Sequence, residues 1–207
     1  MQTRAQLKEA AKKQLQNKWK DSAIFTLVIL LMSMAPSLII GKLSNTLEMI
    51  VSFLIAGPLA YATTKYFYDL SQGRKVELGL IKEGFIKFKE TTVLYILMFL
   101  KILLWTLLLI IPGIIAGIKY SQAFYILNEN PDMNPNDILK KSSQMMEGHK
   151  MRFFVLQLSF IGWGILAMFT LGIGFLWLTP YIVTTMANFY EEVKWEGNLA
   201  KKEEAKK

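Results

Sequence analysis

Residues 91–127 read TTVLYILMFLKILLWTLLLIIPGIIAGIKYSQAFYIL, and this stretch decides the class of fold. Up to Ile118 it carries a single charge, Lys101. A helix needs about 20 apolar residues to cross a hydrocarbon core of about 30 Å, so the run is too long for one crossing and suits two. Pro112-Gly113 divides it, because Pro removes a backbone donor and Gly permits positive φ. The reading is two spans, 91–111 and 113–127, joined by a tight turn, the second of them short.

The same logic extends in both directions. Ala23 to Ile40 is a span followed by the turn Gly41-Lys42-Leu43-Ser44-Asn45, and Leu47 to Tyr68 is a second with Gly57-Pro58 inside it. Phe153 to Tyr190 breaks at Leu171-Gly172-Ile173-Gly174. The expected architecture is an all-α polytopic membrane protein with six transmembrane helices in three hairpins. Four or five spans are the alternatives if the short one does not fully cross. Ser33-Met34-Ala35 has the small-x-small form of a cleavage site, but a long leader and Pro36 just after the cut argue for retention.

Composition agrees. Of 207 residues, 53% are hydrophobic and 19% charged, above and below the averages for soluble domains respectively. Net charge is +8, which suits nucleic acid or anionic lipid, and placement decides for lipid. Eight charged residues fall in the first 21 positions and none in 22–41. The segment before the first span, the 69–90 and 128–152 loops and the tail after Tyr190 hold 20 of the 24 Lys and Arg. With an even number of spans, the positive-inside rule puts both termini in the cytoplasm, leaving Lys42 alone opposite.

A unit recurs three times, at about 1–70, 71–128 and 132–190 within a single membrane domain of residues 1–190, followed by a charged cytoplasmic tail, 191–207. Each unit opens with a short amphipathic helix. Leu7, Ala11, Leu15 and Trp19 form one apolar stripe, and Leu78, Ile81, Phe85 and Phe88 another. The third helix starts at Asn134-Pro135, a cap followed by Pro at the first helical position, and presents Ile138, Met145 and Met146. Such helices either lie along the cytoplasmic leaflet with Lys near anionic headgroups or cap the bundle. Each hairpin ends on a Phe-Tyr pair (67–68, 124–125, 189–190), followed closely by Asp69, Glu129 or Glu191. These tyrosines, with Trp19, Trp177 and Trp195, suit aromatic belts.

Candidate ligand or headgroup residues lie within the spans. Lys101 is ten residues into the third, where an ionised Lys costs about 2.5–3.5 kcal/mol unless it snorkels or meets polar groups. It either faces a cavity suited to an anion or snorkels. Lys119, Tyr120, Ser121 and Gln122 form the most polar stretch; Thr63, Thr64 and Lys65, and Thr184, Thr185 and Asn188, hold matching positions. These three clusters either line a vestibule or make interhelical hydrogen bonds, worth about 0.6 kcal/mol each. Gly113 and Gly117 form a GxxxG, and Gly162 and Gly164 a second small face, both suited to close helix approach. There is no Cys and a single His, His149, so disulfides, thiolate sites and His-based metal clusters are excluded. No triad, carboxylate pair or phosphate loop occurs in the sequence, so a non-enzyme without metal or cofactor is expected.

Several stretches together carry a resemblance: Ile111-Pro112-Gly113-Ile114-Ile115-Ala116 leading to Tyr120-Ser121, then Asn130-Pro131, Ser142-Ser143 and Met146-Glu147-Gly148-His149-Lys150. Leu158 to Trp163, Pro180-Tyr181 and Phe189-Tyr190 continue it, as does Leu15-Gln16-Asn17-Lys18-Trp19. The chain resembles a bacterial integral membrane family, the domain of unknown function numbered 975, over nearly its whole length. It departs from the family pattern at Asn17, where Gly is usual. That family is similar to the membrane domain of some glycerophosphodiester phosphodiesterases, whose catalytic barrel has no room here. The resemblance implies fold and location and no catalytic residues.

The functional expectation is a non-enzymatic protein of the cytoplasmic membrane that binds lipids through anionic headgroups on the cytoplasmic side, or a membrane protein partner, as an accessory or scaffold. Nucleic acid is not an expected partner. The alternative is a small transporter or permease component for an anionic or amphipathic solute.

Overall fold

The computed structural model describes the backbone of residues 1–41 and 44–204 and side chains as far as Asn198. Lys42 and Leu43 of the expected first turn, and the end of the charged tail, lie outside the described residues. Within them the chain is helical and has no strand. The helices are α1 (Arg4–Leu15), α2 (Trp19–Ile40), α3 (Asn45–Ser71), α4 (Leu80–Ile86), α5 (Phe88–Leu108) and α6 (Ile110–Tyr120). There follow α7 (Ala123–Glu129), α8 (Pro135–Met145), α9 (Lys150–Leu158), α10 (Ile161–Phe169) and α11 (Phe175–Glu204). Five segments are long and apolar enough to cross a membrane: α2, α3, α5, Ile110–Glu129 and Lys150–Phe169. The expected sixth, α11, is not among them, because its uncharged run stops at Glu191-Glu192 before reaching the needed length and contains Pro180 and Asn188.

Local chemistry sets the helix boundaries. The Thr3 side chain accepts from the Gln6 amide while the Gln6 side chain accepts from the Thr3 amide, a capping box that starts α1. Asn17 between α1 and α2 has φ 64°, a left-handed conformation that Gly adopts freely and Asn tolerates better than most. Asn134 caps α8 by accepting from the Asn136 amide, and Pro135 stands at its start. Leu171 and Gly172, with φ 54° and 87°, make the turn between α10 and α11 as expected. The turn expected at Pro112-Gly113 lies earlier, where Leu109 alone is extended. Pro112 and Gly113 belong to the first turn of α6. A Pro is tolerated there because the first amides of a helix have no intrahelical partner, so it marks the start of the second helix rather than the bend.

The described core sits at one end of the bundle. In α2 the buried residues are Ser22, Ala23 and Phe25 near the start, with Pro36 alone near the end; in α3 they lie between Gly57 and Leu70, and in α5 they are Thr91, Thr92 and Leu94. At the other end the tips of α2–α3, α5–α6 and α10–α11 expose large apolar side chains; Leu38, Leu107, Ile110 and Phe169 are each at least 70% exposed. Apolar residues left out of water by nothing in the protein suit acyl chains. Around the buried end, Leu7, Ala11 and Leu15 of α1 and Ile138, Leu139 and Met146 beside α8 are fully covered by protein. These two amphipathic helices therefore cap the bundle instead of laying their apolar stripes in lipid. The middle one keeps Leu78, Ile86 and Phe88 exposed.

Close backbone approach occurs where Gly allows it. A Cβ on Gly84 would stand 2.2 Å from the Pro58 carbonyl oxygen, and one on Gly57 2.6 Å from that of Thr91. These contacts clamp α3 against α4 and α5. Gly113 packs on Thr106, giving half of the expected GxxxG contact, while Gly117, Gly162 and Gly164 face open space among the described residues. Spacing alone identifies a small-residue face; it does not identify which faces meet. Gly84→Val is expected to lower stability by about 1–3 kcal/mol through overpacking. Gly117→Ala should leave it unchanged or slightly raised. Thermal unfolding of the detergent-solubilised protein checks both, and equal losses would refute the clamp.

Candidate functional site

The polar clusters named from sequence do not open on a common vestibule among the described residues. Thr63 and Thr185 donate to carbonyls one turn back, Leu59 and Tyr181, at 2.8 and 2.7 Å. Thr64 is only half-buried and Thr184 is fully buried. Asn188 exchanges two hydrogen bonds with Gln14 of α1, at 2.8 and 3.0 Å, and so ties α11 to the capping helix. Ser121 accepts from the Gln122 side chain at 2.8 Å, and Ser142 of α8 donates to the Lys119 carbonyl at 2.7 Å while accepting from the Gln122 amide. The break between α6 and α7 is thus held by α8.

The lysines divide. Lys65 is nearly buried, 3.2 Å from Asp69 and 3.5 Å from Glu83, with Asn128 at 3.3 Å, while Arg74 pairs with Asp69 at 2.7 Å. This network joins α3, α4 and α7 and leaves Lys65 no free valence for a ligand. Lys101 comes within 3.5 Å of Asn136 and lies 5.9 Å from the Tyr120 ring centroid. A helical side chain leans toward the N-terminus of its helix, which takes the Lys101 ammonium toward the charged end. That is the snorkelling arrangement.

What the structure does bring together is the set of Phe-Tyr ends. Tyr68 of α3, Tyr125 of α7 and Tyr190 of α11 meet with ring centroids 4.9–6.0 Å apart, Tyr125 stacked on Tyr190 and Tyr68 edge-on to both. All three are buried, at 3%, 5% and 1% exposure, so the lipid-facing belt expected of them is corrected; Trp177 and Trp195 remain exposed. The Tyr68 hydroxyl lies 2.5 Å from one oxygen each of Glu129 and Glu191. A hydroxyl has one proton to give, so it donates to one carboxylate at a time. Tyr190 donates to Glu129 at 2.9 Å, and the Lys194 ammonium donates to Glu129 and, at 3.4 Å, to Glu191. Burial works against the Lys194 charge, but its bonds to Glu129 and the two carboxylate charges outweigh that and hold its pKa above the ordinary lysine value. The third acid, Asp69, turns aside to Lys65 and Arg74. The signal was in the sequence: three Phe-Tyr pairs, each followed by an acid, mark the tyrosines that meet and two of the acids that join them.

Two cavities lie elsewhere on the protein, one of them touching the centre at Lys194. A charged cleft of about 540 Å³ between the end of α8 and α11 is lined by Lys141, Lys194, His149 and Glu196, the last two 3.6 Å apart. An apolar groove of about 310 Å³ lies between α1, the start of α2 and the α10–α11 pair. None of the residues chosen from sequence lines either cavity. Residues 1–115 and 106–196 match the model of a family described as "Protein of unknown function (DUF975)". Neither the curated proteins nor the solved structures contain a match to this chain.

Tyr68→Phe is expected to cost about 1.5–3 kcal/mol, the range for a hydrogen bond to a charged group. Tyr125→Phe should cost less than about 1 kcal/mol, because its hydroxyl makes only a 3.4 Å contact with the Val183 carbonyl. Unfolding of both variants in detergent gives the comparison, and an equal cost would mean the carboxylates do not hold Tyr68.

Proposed function

We infer that this chain, which belongs to the DUF975 family, is a non-enzymatic accessory protein of the cytoplasmic membrane that holds a lipid or a membrane protein partner and conducts no solute. In this reading α11 supplies a sixth span beside the five apolar segments, the spans pair as three repeated hairpins, and both termini are cytoplasmic. Packing of α2 on α3, α5 on α6 and α10 on α11 supports the pairing. The likeness to the membrane domain of certain phosphodiesterases extends to fold and location only.

One observation carries the choice of binder over transporter. Most of the polar side chains that a solute path would need already hold partners within the protein, around a closed centre of three tyrosines and two glutamates. Lys65 is neutralised, Asn188 is bonded to Gln14, and Ser121 and Gln122 are bonded to each other. A conduction path would have to break several of these at once, each leaving a buried polar group without a partner.

Proteoliposomes containing the protein are expected to pass a fluorescent organic anion no faster than empty vesicles. Flux that appears with the wild type and disappears in folded Lys101→Leu would establish the transporter instead. Reporter fusions after residues 20, 75, 140 and 200 should all read cytoplasmic, and a single external signal would break the proposed topology.

A further inference from the structure

We propose that the groove beside α1 is a binding site for one anionic phospholipid, with an acyl chain against α10 and α11 and its phosphate at Lys12. This rests on the lipid-binding reading above and specifies its site. The floor and walls are Trp163, Leu166 and Ala167 of α10 with Trp177 and Leu178 of α11, an almost wholly apolar surface. It runs from the turn at Gly174 to Tyr181, about 10 Å at 1.5 Å rise per residue. At the Tyr181 end stand Trp19 and Lys12. The occupant must therefore be apolar over most of its length and negative at one end.

The charge at that end is available. Lys8 of the same helix is engaged, donating to the Ser159 carbonyl at 3.0 Å and lying 4.1 Å from the Phe160 ring centroid. Glu9, the acid nearest in sequence, is paired with Lys13 at 2.8 Å. Lys12 has no acidic partner among the described residues; its ammonium lies over the Tyr181 ring at 5.8 Å and its side chain is exposed. Arg4, Lys8 and Lys12 recur every four residues along one side of α1, and burial together with the charges of Arg4 and Lys12 lowers the Lys8 pKa. A phosphate at the groove mouth would relieve that concentration of positive charge. The position also suits a headgroup: Trp and Tyr flank it, the pairing of residues found where acyl chains give way to water.

Native mass spectrometry of the full chain, exchanged into detergent with phosphatidylglycerol or phosphatidylcholine, tests the site. Retention of one phosphatidylglycerol is expected, well above phosphatidylcholine. Lys12→Gln should reduce it about fivefold, the factor expected for one Lys near an anionic headgroup. Leu166→Trp, at an exposed position where a larger ring fills the groove without disturbing the core, should abolish it. Lys20→Gln, which removes the same charge outside the groove, should leave it unchanged. A photoactivatable phosphatidylglycerol should label peptides covering residues 163–181. Strong phosphatidylglycerol retention that ignores Lys12→Gln and Leu166→Trp would overturn the groove while leaving lipid binding intact. Equal retention of both lipids would overturn anionic recognition, loss of all lipid from the wild type would overturn the broader reading, and a labelled groove replaced by a dimer contact would give the site to a second copy.

Discussion

Helices surrounded by lipid gain little from burying apolar side chains against one another, because acyl chains are as apolar as leucine. Close packing and internal hydrogen bonds have to supply what the hydrophobic effect does not. In this protein the densest such contacts lie at one centre. The rings of Tyr68, Tyr125 and Tyr190 bring the ends of α3, α7 and α11 together, and Glu129 and Glu191 are held by the Tyr68 and Tyr190 hydroxyls and the Lys194 ammonium. The remaining structure is arranged around it. α1 and α8 cover the centre from outside, the Lys65–Asp69–Arg74 network braces its α3 side, and the three tips diverge from it with their apolar surfaces exposed. Asn128, which accepts from Tyr61 and Lys65, adds a second tie between α3 and α7, and Asn188 with Gln14 ties α11 to α1.

The division between a dense charged end and open apolar tips also explains where a ligand is accommodated. At the dense end the polar groups satisfy each other, and a solute would compete with contacts already made. Between the tips, α10 leaves one side uncovered by any other helix, and α1 reaches its edge with an unpaired lysine. Lipid fills such a gap in a membrane by default; the positive charge at its end determines which lipid stays.

Much of this was legible in the chain itself. The Leu7, Ala11 and Leu15 stripe, the Asn134-Pro135 start of α8 and the Leu171-Gly172 turn all rest on local chemistry that acts within a few residues. The misplaced bend at Pro112 shows the limit of that chemistry, since a Pro that ends one helix and a Pro that opens the next look alike until the neighbouring turn is seen. The tyrosines show a different limit. A Tyr at the end of an apolar span suits a lipid-facing belt and a buried polar centre equally well, and only the rotation of three helices about their axes separates the two. Likewise the local partners of Lys65 and Ser121, Asp69 and Gln122, are within reach of a sequence reading, but Glu83 and Asn128 at Lys65 and Gln14 at Asn188 are fixed by packing. The lysine at the apolar groove, Lys12, is ordinary in sequence because it sits on a helix rich in charge.

Tyr68 and Glu129 act as one unit across α3 and α7. A double-mutant cycle of Tyr68→Phe and Glu129→Gln, followed by unfolding in detergent, isolates their coupling. A coupling of at least about 1 kcal/mol is expected, with the double variant losing clearly less than the sum of the single losses. Losses additive within about 0.3–0.5 kcal/mol would show that the two do not act together, because residues that do not touch behave that way.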